Sequence, residues 1–216
     1  MEWALLGGIP EADVQRVLSI ARRRTFRRGE VVFHMGDPAD TLHLIASGRF
    51  AVRVQTALSD VAILTVLGPG QLFGELALLQ PDARRSATVE ALEPGETRSV
   101  HRPDFEELRR RHPQVSEVLI AILAGQVQRL SRQLLEALYM PADTRVLRRV
   151  SELAEIYGSG DGEVTVPLRQ EDLAGLAGTS RATVNRVLRE EEGRGTVRLG
   201  RGRVVVLDRA TLARRG

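Results

Sequence analysis

The chain has 216 residues, 43% of them hydrophobic and 27% charged, and no cysteine. That length buries a sizeable core in one large domain or two smaller ones, and the missing cysteine excludes disulfides, cysteine-ligated zinc, iron–sulfur clusters and thiol catalysis. All 31 basic residues are arginine, against 28 acidic ones, a choice that a GC-rich genome explains. Residues 1–140 balance at 17 Arg and 17 Asp or Glu, so the whole net charge of +3 falls in residues 141–216. A basic C-terminal end suggests a polyanionic partner. The start of the chain, with Glu2 and only a short apolar patch, does not read as a signal peptide. The longest uncharged helical run, Val118 to Gln128, is too short to span a bilayer. A cytoplasmic protein with no membrane partner is expected.

Residues 1 to about 28 predict short helices, with the stretch "EADVQRVLSIARRR" amphipathic. From Glu30 to about Arg102 the pattern changes to short apolar or alternating runs, among them "TLHLIASG", "FAVRVQ" and "VAILTVLGPG". Gly36-Asp37-Pro38, Gly68-Pro69-Gly70 and Glu93-Pro94-Gly95 punctuate them. Short strands at even spacing with Gly/Pro turns predict a β-sandwich or small barrel. After Pro103 helices return: "PDFEELRRRHP" is a short one closed by Pro113, and a long one runs from Val115 to Tyr139. In the long helix Ile120, Leu123, Val127, Leu130, Leu134 and Ala137 repeat at 3-4-3-4-3 spacing, a heptad seam on a rod about 37 Å long. Leu119, Ile122 and Leu135 give it a second apolar side. One side is expected to cover the barrel and the seam to pair with a second copy, making a homodimer. Pro141 in "MPAD" ends the helix and marks a hinge. A helix from Thr144 to Tyr157 follows, then the turn-rich "GSGDGEVTVP".

The next segment, "RQEDLAGLAGTSRATVNRVLREEEGRG", carries the sharpest pattern. Counted from Gln170, Ala174 is fifth, Gly178 ninth, Val184 fifteenth and Val187 eighteenth. Two helices crossing through a tight turn need a small residue at the contact, a residue tolerant of positive φ in the turn, and a shared apolar core. Ala174, Gly178, and Leu173 with Ala177, Val184 and Val187 meet those needs, while Thr179 and Ser180 cap the second helix. Ser180, Arg181, Ala182, Asn185 and Arg186 lie exposed at its start, where a recognition helix reads bases and arginine pairs bidentately with guanine. "TVRLGRGRVVVL" closes the pattern as a hairpin wing through Gly200-Arg201-Gly202. The segment reads as a winged helix-turn-helix. Candidate DNA contacts are Arg169, Gln170, Thr179, Ser180, Arg181, Ala182, Thr183, Asn185, Arg186 and Arg201.

The stretches "LGPGQLFGE", "FGELALL" and "RSATV", the long helix and "GTSRATVNRVL" together resemble the cyclic-AMP receptor protein/Fnr family of bacterial transcription regulators, over nearly the whole chain. The resemblance implies an α+β chain in three parts. These are a cyclic-nucleotide-binding-type β-barrel (jelly roll) over residues 1–114, a dimerisation helix over 115–140 and a winged helix-turn-helix over 141–216. It implies cyclic AMP or a related cyclic nucleotide as effector, held by Gly74, Glu75, Leu76, Arg85, Ser86 and Ala87. The chemistry agrees with that assignment. Arg85 forks onto phosphate oxygens, the small Ser86-Ala87 pair admits backbone N–H groups, Glu75 accepts from the ribose 2′-OH, and Gly74 lets the backbone approach the sugar. The Arg-Ser-Ala register selects Arg85 over Arg84. In the cyclic-AMP receptor that gives the family its name, a Thr-Ser pair on the dimer helix meets the adenine; here those positions are Leu130 and Ser131, of which Ser131 can still bond the base and Leu130 cannot. Expected partners are double-stranded DNA with a two-fold symmetric operator, a second copy of the chain, and RNA polymerase.

Three alternatives arise, one of them a haem or iron–sulfur sensor of the same family, which the lack of cysteine argues against. In a second, Glu75 and Arg85 form an ion pair inside a barrel that binds nothing, and the regulator is effector-independent. In the third the chain is an enzyme, but no catalytic constellation is present: Gly68, Gly70 and Gly74 do not form the dinucleotide fingerprint, with Pro69 in the turn. His34, His43, His101 and His112 show no metal spacing. No enzyme activity, metal, haem or iron–sulfur cluster is expected.

Overall fold

The structure, a computed structural model, describes residues 3–55, 61–79, 83–158 and 162–216. Two compact units divide the chain: Met1–Val54 with Thr65–Arg129, and Gln55–Leu64 with Leu130–Gly216. The division falls inside the long helix, which carries the chain from one unit to the other.

The first unit opens with a 3-10 turn (Ala4–Leu6) and helix α1 (Glu11–Ile20). Eight strands follow: β1 (Arg22–Phe26), β2 (Val31–Phe33), β3 (Thr41–Ser47), β4 (Phe50–Gln55), β5 (Val61–Leu67), β6 (Leu72–Phe73), β7 (Thr88–Ala91) and β8 (Gly95–His101). They form two four-stranded sheets, in the orders β1-β8-β3-β6 and β2-β7-β4-β5. Helices α2 (Arg102–Arg111) and α3 (Gln114–Tyr139) follow, and α3 belongs to this unit as far as Arg129. The helical expectation for the N-terminus fails at Arg22. "RRRTF" is an edge strand paired with β8 from Arg22↔Ser99 to Phe26↔Gly95, because sheet pairing outweighs a weak helical propensity. β6 was too short to see as a run.

Strand β3 explains the layering. Leu42 and Leu44 face the helices, joining Trp3, Val100, Phe105, Leu108, Val115 and Leu119 in one core. Ile45, on the other face, enters the barrel interior with Phe26, Phe50, Phe73 and Val89. Both faces are covered, so the strand reads as a continuous apolar run rather than an alternating one. On α3, Leu119 is buried and Ile122 packs on the same core, as expected of the barrel side, but so does Leu123, which the spacing had put in the seam. Ile120, Val127, Leu130 and Leu134 stay between 45% and 65% exposed, and Ala137 is exposed. Leu135 is also exposed, so the second apolar side ends before it.

The second unit contains α4 (Ala142–Tyr157), β9 (Val164–Val166), α5 (Gln170–Ala177), α6 (Arg181–Gly193), β10 (Val197–Gly200), β11 (Arg203–Val206) and α7 (Arg209–Arg215). Val164–Val166, expected within a turn-rich loop, is a strand that pairs with β11 and completes a three-stranded sheet, β10-β11-β9. Residues 159–161 of that loop lie outside the described residues. Helix α7 follows the wing, with Leu212 fully buried; Asp208 caps it by accepting from Thr211 N–H at 2.9 Å. The elbow after Tyr139 is tied by Arg145. Its guanidinium donates to Met140 O (2.7 Å), Ala177 O (2.9 Å) and Gly178 O (3.0 Å), so one cation serves the carbonyl ends of two helices. Glu136 on α3 also pairs with Arg148 and Arg149 on α4.

Candidate functional site

In the barrel, the chain leaves β6 through Gly74 at φ +86°, and a Cβ there would stand 2.6 Å from Arg85 Nη1 and 3.0 Å from Thr41 O. Glycine is required twice, by the left-handed backbone and by the close guanidinium. Glu75 comes next, at the head of a 3-10 turn (Leu76–Leu78), and is 6% exposed. The backbone of Arg85 is held by the turn after β2, donating to Asp37 O at 2.9 Å and accepting from Gly36 N–H at 2.8 Å. These pairings bring two residues ten apart in sequence onto one spot.

Arg85 is 5% exposed. Nη1 donates to Thr41 O (2.8 Å) and Gly74 O (3.3 Å), and Nη2 donates to Thr41 Oγ1 (2.7 Å). Cζ lies 4.0 Å from the centroid of the Phe33 ring, a cation–π contact. The buried Nε has no hydrogen-bond partner. No bond runs from Arg85 to Glu75; instead Glu75 Oε1 accepts from Gln126 Nε2 on α3 at 3.1 Å. Burial lowers the pKa of Arg85, and Asp40, Asp37 and Glu75 oppose that shift; the group remains a cation at any physiological pH. Beneath it, His43 is 2% exposed, stacks on Phe73 at 4.9 Å and bonds Thr97 Oγ1 at 3.1 Å. Burial first, then the charges of Arg85, Arg24 and His101, push its pKa down to about 3. The site thus combines a desolvated cation with an unused donor, a neutral imidazole below it, and a carboxylate aligned by an amide. That set suits an anion carrying a hydroxyl donor.

Ala87 is buried, whereas Ser86 and Leu76 are exposed. Arg84 is exposed and donates to Gly36 O at 2.8 Å, away from the Arg85 cluster. Leu130 and Ser131 are exposed positions of α3 in the second unit.

In the second unit, Gly178 sits at φ +59° and turns α5 into α6, and Ser180 Oγ caps α6 by accepting from Thr183 N–H at 3.1 Å. Leu173, Ala174, Ala177, Val184 and Val187 are all buried between the helices. Arg181, Ala182, Asn185 and Arg186 are exposed on the first two turns of α6. Asp172 accepts from Arg169 N–H at 3.0 Å at the start of α5, and Asn185 Nδ2 donates to Gln170 at 3.0 Å. Arg201 is exposed in the turn of the wing.

Sequence reasoning missed Thr41, Phe33 and Gln126 in the barrel. All three reach the site through strand pairing or helix docking, and no local spacing marks them. Among the described residues there is no cluster that could hold a metal ion, and no helix is long and apolar enough to cross a membrane.

Comparison with known proteins defines the class. Residues 23–112 match the cyclic nucleotide-binding domain, and residues 128–215 match the Crp-like helix-turn-helix domain. The cyclic AMP receptor protein of Thermus thermophilus is 36% identical, with 96% of this chain and 94% of that protein covered. A CRP-like cAMP-activated global transcriptional regulator of Mycobacterium tuberculosis is 33% identical over 88% of this chain and 86% of its own length. The crystal structure of Thermus thermophilus catabolite activator protein shares 35% identity at a TM-score of 0.57, covering 98% and 97% of the two chains. The c-di-GMP responsive regulator CLP of Xanthomonas campestris shares the fold, at TM-score 0.79 and 21% identity over 92% and 99%. The chain belongs to the Crp/Fnr family of DNA-binding transcription regulators, and the relatives named above are regulators rather than enzymes.

Proposed function

We propose that the chain is a cytoplasmic, homodimeric transcription regulator controlled by cyclic AMP, which the barrel binds through Arg85 on the phosphate and Glu75 on the ribose 2′-OH. Gly74, Leu76, Ser86 and Ala87 complete the cradle; of the two candidate positions for the base, Leu130 and Ser131, only Ser131 offers a hydrogen bond. The single observation that carries the reading is Arg85: a buried cation that no acid among the described residues contacts, with an unpaired Nε–H. Leaving a charge and a donor uncompensated is costly unless a ligand supplies the missing partner. The exposed stripe Ile120, Val127, Leu130, Leu134 and Ala137 supports a paired helix, with Leu123 turned to the barrel core. Residues 1–114, 115–140 and 141–216 then serve as effector domain, dimer helix and DNA reader. In the reader, Arg181 and Arg186 select guanines in half-sites about 34 Å apart. Arg169, Gln170, Thr179, Ser180, Thr183 and Arg201 hold the phosphate backbone, and Ala182 and Asn185 face bases. RNA polymerase is the partner at the promoter.

The alternative is an effector-independent regulator. It draws on the contact from Gln126 to Glu75 and on Thr41, which already engages Arg85 from within the chain. Titration calorimetry separates the two. Cyclic AMP should bind the wild-type protein, and Glu75→Gln should weaken it much more than it weakens 2′-deoxy cyclic AMP. No heat at millimolar cyclic AMP would transfer the case to the effector-independent reading.

A further inference from the structure

Helix α6 ends in three consecutive acids, Glu190, Glu191 and Glu192. A carboxylate in the last turn opposes the helix dipole, and one beside a DNA-binding surface repels the phosphates. Two of the three bond the wing. Glu191 is 1% exposed; its Oε2 accepts from Thr196 Oγ1 at 2.7 Å, and its Oε1 takes Arg194 at 2.7 Å and Arg215 of α7 at 2.8 Å. Thr196 is where the hairpin closes, its carbonyl accepting from Leu207 N–H (2.9 Å) and Asp208 N–H (3.2 Å). The base of the wing is thereby fixed to α6. Glu192 reaches further out. Strand β10 is an edge of its sheet, and the unpaired amides of an edge need partners or cover. Glu192 Oε1 accepts from Leu199 N–H at 2.8 Å, directly before the Gly200-Arg201-Gly202 turn, while Arg189 holds Oε2 at 2.8 Å. The Leu199 amide is the largest cause keeping the Glu192 carboxyl below its ordinary pKa; burial opposes it and Arg189 adds to it.

We propose that Glu192 is a positioning residue for the wing: it pins the outer strand to the last turn of the recognition helix, so that Arg201 meets a phosphate when α6 lies in the groove. This rests on the reading of Arg201 as a phosphate contact. A ribbon of two short strands has little stability of its own, so the place of its turn is set by what β10 is tied to. Without the Glu192 bond, ordering the turn on DNA would subtract from the gain of the Arg201 contact. A peg and a bare surface charge predict opposite signs. Deleting a bare negative charge beside DNA tightens binding. Deleting the peg weakens it, although the repulsion has gone.

The test compares wild type, Glu192→Ala, Glu192→Gln, Arg201→Ala and the double variant Glu192→Ala/Arg201→Ala, with thermal unfolding followed in parallel. Each is titrated with a duplex selected from a two-fold symmetric random library and with a scrambled duplex, from about 50 to 200 mM salt, with saturating cyclic AMP. Arg201→Ala should lower the salt slope by about 1 per protomer and weaken both duplexes alike. Glu192→Ala should lower the slope in the same direction and weaken both duplexes on the order of 10-fold at the lower salt. Glu192→Gln keeps an acceptor for Leu199 N–H and should bind at least as tightly as wild type. In the Arg201→Ala background, Glu192→Ala should no longer weaken binding. Tighter binding by Glu192→Ala, equal effects of Ala and Gln, or a loss that persists without Arg201 would each overturn the peg. Arg201→Ala with the wild-type salt slope would instead remove the phosphate-contact reading, and the positioning role with it.

Discussion

In the barrel, Arg85 is withdrawn from solvent, sits over an aromatic ring and is met by carbonyl and hydroxyl oxygens, with no acid among the described residues in contact. On α6, Arg186 is 53% exposed and gripped by two carboxylates. The same side chain is prepared for opposite tasks. Arg85 has already lost its water, so an anion entering the barrel meets a strong, poorly screened charge that no described carboxylate bonds directly. Arg186 keeps its water and its acids. Its contacts are weak and salt-sensitive, and they distinguish acceptors by geometry rather than by charge alone. Burial decides which role an arginine takes, and burial belongs to the fold around it.

The strongest way to break this contrast is Arg85→Leu. Losing a charge-assisted fork should weaken cyclic AMP by at least about 100-fold, on the order of 3 kcal/mol, while the melting temperature changes little. Calorimetry and thermal unfolding read the two effects, and retained affinity would show that the buried cation is structural. Along α3 the contrast recurs in apolar form, from Leu119 at 3% exposure to Leu134 at 60%. Leu134→Asp should raise the dimer dissociation constant by about 100-fold or more, because like charges would be buried face to face. Sedimentation as an unaltered dimer would show that the exposed stripe is not the contact.

A smaller effect sharpens the DNA side. Ala182 is exposed on α6 and carries no acceptor, so the base pair it faces should be weakly specified or tilted toward thymine. Ala182→Glu should add a preference for cytosine worth about 1–3 kcal/mol, read by selection from randomised half-sites. If wild type already demands cytosine there as strongly, Ala182 does not face a base.

The last prediction concerns the buried His43. His43 titrates near 6.5 when unfolded but at about 3 in the fold, so the unfolded chain binds the extra proton between those values. Stability should be flat with respect to this residue above pH 6.5. It should then fall by up to about 1.4 kcal/mol per pH unit on acidification toward pH 3. His43→Phe should remove that slope in urea unfolding at pH 5 and pH 7. A His43 resonance titrating near pH 6.5 in the folded protein would mean the barrel interior is wetter than its burial implies.

Much of this architecture was legible in the residues alone. Turn residues between short apolar runs marked the barrel strands, because Gly and Pro restrict where a strand can continue. The four steric positions from Ala174 to Val187 marked the helix-turn-helix, because that motif is local: every contact that defines it lies within about twenty residues. The Gly74-Glu75 and Arg85-Ser86-Ala87 pieces were legible for a similar reason, each being a short backbone device. Non-local pairing was not. Arg22–Phe26 became a strand, and Val164–Val166 joined the wing, only because partner strands offered hydrogen bonds that propensity does not encode. The sequence placed an acid and a cation ten residues apart, and left open whether they would pair. Strand register decided it by setting Thr41 against Arg85, and helix docking did so by setting Gln126 against Glu75. Likewise the exposed arginines of α6 could be read directly, but one acid that holds Arg186, Asp143, comes from the start of α4. Side-chain chemistry is written residue by residue; which charge is desolvated, and which is paired, is settled only when distant segments pack.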